Sequence, residues 1–270
     1  MYYQRIAEVE KDGIPAAVAV IVSTSGSVPR REGTKMVIFD DGTFEGTIGG
    51  GEVEHRVIKE ALESLQESKS RIVHYRFVDV KQGDVGVCGG EMDVYIEPIR
   101  SALTLVVVGA GHVGKEVARL GKWLGYRVVV VDDRRQFATQ EMVPDADELL
   151  NCEISQIPEH VTITDQTYIV FTTRGTEIDV DGLPGLIDSP AAYIGVIGSR
   201  RRWEVSAQQL FEKGINKEQL SRIHSPVGLD LNAETPQEIA VSILAQMIMV
   251  RHSGTGKSKQ HTPVLKMKRK

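Results

Sequence analysis

Cysteine is nearly absent from this chain: there are two, Cys88 and Cys152, in 270 residues. Two thiols exclude a disulfide framework, and no Cys/His group has zinc spacing. Long apolar runs are missing too. Ile239 to Val250 comes nearest, falls short of the ~20 residues of a membrane span, and reads as a buried helix. The opening residues, MYYQRIAEVEKDG, carry charges where a signal peptide needs an apolar core. Positive charge is not in excess either. The formal net charge is -5, which argues against a nucleic-acid partner. These absences predict a cytoplasmic protein with no membrane segment. The balance of 41% hydrophobic and 26% charged residues is that of a globular chain, long enough for one large domain or two medium ones.

The most informative stretch present is Leu103 to Asp133. A β-branched run, Leu105 to Val108, leads into Gly109-Ala110-Gly111-His112-Val113-Gly114. A helical pattern, Gly125 and a second apolar run, Arg127 to Val131, follow, ending at Asp132. This is the order strand, glycine turn, helix, strand, acid of a dinucleotide-type Rossmann unit. Gly109 permits the tight turn, Gly111 lets backbone approach a phosphate, and Gly114 lets the helix pack close to the strand. The helix N-terminus offers free N–H groups and a positive dipole end to an anion. Asp132 stands where an acid accepts bonds from a ribose 2′-OH, and His112 shapes the turn.

The predicted fold class is α/β, with a C-terminal Rossmann-like doubly wound parallel sheet and a smaller N-terminal α+β domain. The boundary falls near Pro98 to Ala102, giving domains 1–100 and 103–252 and a basic, disordered tail, 253–270. Predicted C-terminal elements are strands at Leu103–Val108, Arg127–Val131, Thr167–Thr172 and Ala192–Ile197, and helices at Val113–Leu124, Arg202–Lys213 and Thr235–His252. Predicted N-terminal strands are Ala16–Thr24, Lys35–Phe39, Arg71–Phe77 and Met92–Pro98. Asp40-Asp41-Gly42 reads as a hairpin turn and Glu52 to Leu65 as an amphipathic helix. Gly254 to Ser258 imitates the end of a P-loop, but Arg251 stands where that loop needs its first glycine.

Three N-terminal clusters carry candidate chemistry. Ser23 to Arg31 gathers hydroxyls, a glycine and two guanidiniums, with Ser25 and Arg30 as candidate contacts to a phosphate or another planar anion. A polar surface loop is the equal alternative. Gly49-Gly50-Gly51 stands directly before a helix, where such a run implies close approach of a ligand or another backbone. Glu52 and Glu54 read as helix-start acids. Cys88-Gly89-Gly90 leaves a thiol accessible for a soft metal or for sulfur chemistry. Cys152 has no such setting.

The ends of the predicted parallel strands carry the rest. They are Asp132-Asp133-Arg134, then Thr172-Thr173-Arg174-Gly175, then Gly198-Ser199-Arg200-Arg201-Arg202. Their shared edge predicts a positive pocket for an anionic ligand. Arginines pairing with Asp and Glu are the alternative. His224 is a candidate acid/base group or ligand contact. Thr235, Pro236 and Glu238 form a helix-capping signal.

Taken together, Ser23–Arg30 with Gly33, Gly46–Glu54, Cys88–Gly90, Gly109–Gly114, Gly198–Trp203 and His224–Ala240 resemble the XdhC/CoxI family in content and order. The most specific segments are TIGGGEVE, VCGGEMDVYIEP and HSPVGLDLNAETPQEIAVSILAQMI. The resemblance implies an accessory factor for molybdenum hydroxylases of the xanthine dehydrogenase type. Such a factor binds molybdenum cofactor, a pterin dithiolene with a phosphate, as molybdopterin or its dinucleotide. It holds the cofactor while a cysteine desulfurase exchanges an oxo ligand for sulfur, then passes it to the hydroxylase. The resemblance makes Cys88 the thiol contact to the metal and a homodimer the expected assembly. One departure stands out: Glu52 follows the triple glycine where many members have cysteine.

Two other functions remain open on the residues. One is an NAD(P)-dependent oxidoreductase, with Asp132 favouring NAD. The other is a Rossmann module that senses a dinucleotide without chemistry.

Overall fold

The computed structural model describes residues 2–77, 85–86 and 89–260, which form two compact units dividing between Ala102 and Leu103. Cys88 and residues 261–270 of the basic tail lie outside the described residues. Residues 253–260 are exposed and belong to no helix or strand.

The first unit starts with helix α1 (Tyr2–Asp12), strands β1 (Ala16–Ser25), β2 (Lys35–Phe39) and β3 (Phe44–Gly46), and helix α2 (Gly51–Glu67). Strands β4 (Arg71–Arg76) and β5 (Glu91–Ile99) complete it. Its sheet is antiparallel, in the order β3-β2-β1-β5-β4. The Asp40-Asp41-Gly42 turn joins β2 to β3, with the Thr43 amide and hydroxyl both donating to Asp41. One face of alternate residues, including Ala17, Ile21, Met36 and Val94, packs on Val53, Val57 and Ala61 of α2. Val9 of α1 covers Ala16 and Val37 on the other face.

The second unit alternates strand and helix. It contains β6 (Thr104–Val108), α3 (His112–Trp123), β7 (Arg127–Val131), β8 (Glu148–Leu150), α4 (Ile157–His160), β9 (Thr167–Phe171) and α5 (Thr176–Gly182). Then come β10 (Tyr193–Val196), α6 (Arg200–Glu212), α7 (Lys217–Ser221), β11 (Ile223–His224) and α8 (Pro236–Arg251). The sheet is parallel, in the order β8-β7-β6-β9-β10-β11, so strand order reverses between β6 and β9. This is the doubly wound arrangement whose crevice opens at the carboxyl ends of the strands.

Burial on both faces explains why β6, β7 and β9 read as unbroken apolar runs. Leu105, Val107, Val128 and Val130 face a layer formed by α3 and α8, with Val117, Ala240 and Leu244. Their neighbours Val106, Val108, Val129 and Val131 face the opposite layer, with Ile157, Val180 and Leu210. Thr235 caps α8, its hydroxyl accepting from the Glu238 amide while the Glu238 carboxylate accepts from the Thr235 amide.

The glycine turn separates two roles. A Cβ on Gly114 would lie 1.9 Å from the Gly109 carbonyl oxygen, so α3 can start against β6 only if that side chain is missing. A Cβ on Gly111 would meet nothing within 4 Å, and its φ of -72° is open to any residue. Gly114→Ala is therefore expected to cost roughly 2–4 kcal/mol through forced backbone displacement. Gly111→Ala should change stability by only about 1 kcal/mol, the scale of a helix-cap change. Urea unfolding midpoints of the two variants check this contrast.

Candidate functional site

A cavity of about 540 Å³ opens at the carboxyl ends of β6, β7 and β9. Its wall contains Val108, Gly109, Gly111 and His112 from the first turn and Asp132, Asp133, Arg134 and Phe137 from the end of β7. Cys152, Ile154, Thr172, Thr173, Arg174 and Ile178 close the other sides. The site therefore brings together Gly109, Gly111, His112, Asp132, Arg134, Thr173 and Arg174 from distant parts of the sequence. No side chain caps α3, so its first amides and its positive dipole end remain at the cavity for an anion.

Asp132 organises this wall and is almost fully buried. Its Oδ2 accepts from the Ala110 amide at 2.8 Å and from Arg134 Nη2 at 2.8 Å. Its Oδ1 accepts from the Arg134 amide at 3.0 Å and from Arg134 Nε at 2.8 Å. Two bonds on each oxygen take up the acceptor capacity of a carboxylate. Burial alone pushes the Asp132 carboxyl up. The Arg134 and Ala110 hydrogen bonds, with the Arg134 charge, outweigh it and hold the carboxyl below its ordinary range. Arg134 lies over the Phe137 ring, 3.8 Å from its centroid.

The expected positive pocket is corrected by the same geometry. Arg174 forks onto both oxygens of Asp133 at 3.0 Å each. Arg202 Nη2 donates to Asp179 Oδ2 at 2.5 Å and to the Thr173 hydroxyl at 3.1 Å. The Thr173 hydroxyl in turn donates to Asp179. Arg134, Arg174 and Arg202 are thus each paired with an aspartate, and Glu153 and Asp181 add further acid to the cavity wall. The feature of this wall that favours negative charge is the start of α3, which no side chain caps. Asp179 is wholly buried, and burial pushes its carboxyl up against the pull of Thr173 and Arg202.

Gly198, Ser199 and Arg200 lie outside the lining of this cavity. Ser199 caps α6 by accepting from the Arg202 amide. His224 lies outside it too, stacked on Tyr193 at 4.6 Å between centroids, and burial pushes its pKa down. Cys152, set aside in the sequence, is part of the cavity wall. Burial, reinforced by the Glu159 charge, pushes that thiol up, so it is protonated at neutral pH. Phe137, Cys152 and Asp179 were not singled out from the sequence. Of the three, Cys152 stands just after a strand, β8, whereas Phe137 lies six residues beyond β7 and Asp179 lies inside α5.

In the first unit, Gly90 packs on the backbone of the Ser23–Arg31 cluster and Gly49 packs on its Pro29 ring. A Cβ on Gly90 would lie 2.6 Å from the Ser25 carbonyl oxygen and 2.3 Å from that of Ser27. A Cβ on Gly26 would lie 2.8 Å from the Gly89 carbonyl oxygen, and one on Gly49 would lie 2.9 Å from Pro29. Another backbone, rather than a ligand, accounts for Gly26 and Gly90. Gly50 and Gly51 have positive φ and open onto α2, whose start no side chain caps. Arg30 is exposed, and the Thr24 amide and hydroxyl both bond to Glu32. Glu52 pairs with Arg56 at 2.8 Å on the surface of α2. Among the described residues, no group of three or more His, Cys, Asp or Glu could hold a metal ion. None of the described helices is long and apolar enough to cross a membrane.

The fold and cavity define a Rossmann unit, joined in sequence to a separate antiparallel α+β unit. Residues 105–247 match the XdhC Rossmann domain, and residues 9–76 match the XdhC and CoxI family. The chain belongs to the XdhC/CoxI family. It is 38% identical over 94% of its length to the uncharacterized protein YqeB of Escherichia coli. It is 30% identical over 59% of its length to a probable xanthine dehydrogenase subunit from Bacillus subtilis. It spans 47% and 46% of the lengths of these two relatives, about half of each. It is also 23% identical, over 88% of its length and 84% of the relative, to the molybdenum cofactor insertion chaperone PaoD of Escherichia coli. A crystal structure of a xanthine dehydrogenase from Bacillus halodurans has the same fold, with a TM-score of 0.51, 22% identity, and coverage of 96% of this chain and 97% of that one.

The Asp132 network makes a pH prediction. In the unfolded chain the carboxyl titrates near pH 4, and in the native chain lower. The network therefore stabilises the fold above about pH 4 and loses that contribution as pH falls through the native value. Asp132→Asn should cost roughly 1–3 kcal/mol at pH 7 and flatten the acid limb of stability below pH 4. Urea unfolding across that pH range measures both effects.

Proposed function

We propose that this chain is an accessory factor for a molybdenum hydroxylase of the xanthine dehydrogenase type and carries molybdenum cofactor as cargo. The observation that carries the proposal is Gly111. Neither its backbone angles nor any protein neighbour requires a glycine there, and the open space above it is the cavity at the α3 N-terminus. A missing side chain at that point leaves room for a phosphate to reach backbone. Molybdenum cofactor bears such a phosphate, alone or extended to a dinucleotide. Family membership and the name of PaoD support this choice over other phosphate-bearing ligands. The probable xanthine dehydrogenase relative from Bacillus subtilis supports the choice of client.

Cys88 is proposed as the thiol contact to the cofactor on the family resemblance alone. The neutral Cys152 thiol is the poorer candidate, since the thiolate is the ligating form. In this proposal the chain shields the cofactor while a cysteine desulfurase supplies sulfur, and then hands it to the hydroxylase. The chain acts as a homodimer in the cytoplasm and performs no turnover of its own. An NAD(P) oxidoreductase is less well supported, because the four hydrogen bonds to Asp132 leave no acceptor for a ribose hydroxyl.

The test uses protein co-expressed in a cofactor-producing host and purified without oxygen. After denaturation and oxidation, pterin fluorescence and molybdenum by mass spectrometry should approach one equivalent per chain. Cys88→Ser should keep the unfolding midpoint yet lose most of the molybdenum. Co-purification of a nicotinamide nucleotide without pterin would overturn the carrier role.

A further inference from the structure

We infer that Arg134 is a stacking platform that selects ligands carrying a planar heterocycle, a specificity role that rests on the cavity taking a phosphate-bearing cofactor. The guanidinium is held flat from two directions. Asp132 fixes its edge through Nε and Nη2, each at 2.8 Å, and Phe137 covers one face at 3.8 Å. The side chain still exposes 29% of its surface, and both Arg134 and Phe137 line the cavity. A guanidinium has two faces, and a pre-organised one stacks on aromatic rings with little further loss of freedom.

The saturated carboxylate beside it removes the usual alternative. With four donors already on Asp132, a ribose diol finds no free acceptor, so recognition at this end of the cavity falls to the flat face. Ile154 and Ile178 supply apolar surface in the same cavity. A ligand with its phosphate at the α3 N-terminus and a heteroaromatic ring on Arg134 uses both features. In molybdenum cofactor that ring is the pterin itself or the base of a nucleotide extension.

The experiment measures binding to the purified full chain by calorimetry and by hypochromism of the ring. The probes are ADP, CDP, neopterin monophosphate and inorganic pyrophosphate. At least one heterocyclic probe should bind with loss of absorbance. Arg134→Lys, which keeps the charge but not the plane, should weaken that probe about tenfold and abolish the hypochromism. Pyrophosphate affinity should stay close to the parent, while the unfolding midpoint falls modestly with loss of the forked pair to Asp132. Phe137→Leu, which leaves the Asp132 pair intact, should weaken the same probe in the same direction. Preference for ADP or CDP assigns the platform to a nucleobase, and preference for the pterin phosphate assigns it to the pterin. Equal or tighter binding by the Lys variant would overturn the platform and make Arg134 a lid over Asp132. Failure of every heterocyclic probe on the parent protein would also overturn it, and the carrier role would survive if pterin still co-purified.

Discussion

One buried carboxylate holds the candidate site together. Asp132 bonds the glycine turn through Ala110 and the segment after β7 through Arg134, so two loops from different strands share one anchor. Thr172 adds the third strand by donating to the Gly109 carbonyl oxygen at 2.7 Å. The Asn151 side chain adds the fourth through the Asp132 carbonyl oxygen at 2.8 Å. The α3 N-terminus and the floor of the cavity keep their positions because these four segments are fixed to one another.

That anchor also decides what kind of recognition the site supports. A Rossmann acid with free oxygens reads a sugar, but this one is occupied by its own chain. Arg134, Arg174 and Arg202 are likewise matched by Asp132, Asp133 and Asp179, so these three do not leave net positive charge at the cavity. What remains is directional: backbone amides at a helix start, a side-chain-free approach at Gly111, and a flat guanidinium. In the proposed carrier role, selectivity by shape and stacking would suit a bulky cargo better than a field that gathers every phosphate in solution.

The β6–α3–β7 unit was legible in the sequence because burial on both faces writes a strand as an unbroken apolar run and close packing writes a helix start as glycine. The same logic located Thr173 and Arg174 at a strand end. β8 and β11 were not legible, since three residues and two residues hold too little pattern to read. The polar sequence of α5, TEIDVDG, hid a helix whose Asp179 is wholly buried. Charge pairing was the other gap. Arg174 meets Asp133 across 41 residues of chain, and no local spacing encodes that contact. Composition therefore suggested a positive pocket where geometry built neutral pairs. Gly90, a candidate contact in the sequence, packs against the Ser25 and Ser27 backbone, a long-range approach that no local spacing encodes.

The most direct test of the central claim is cofactor retention by Gly111→Val. Valine suits the extended backbone at Gly111 and its Cβ would meet nothing within 4 Å, so stability should fall by only about 1 kcal/mol. Purified anaerobically from a cofactor-producing host beside the parent chain, the variant should lose nearly all its pterin and molybdenum. Retention equal to that of the parent would show that the cargo does not enter the cavity at the glycine turn and would contradict the account.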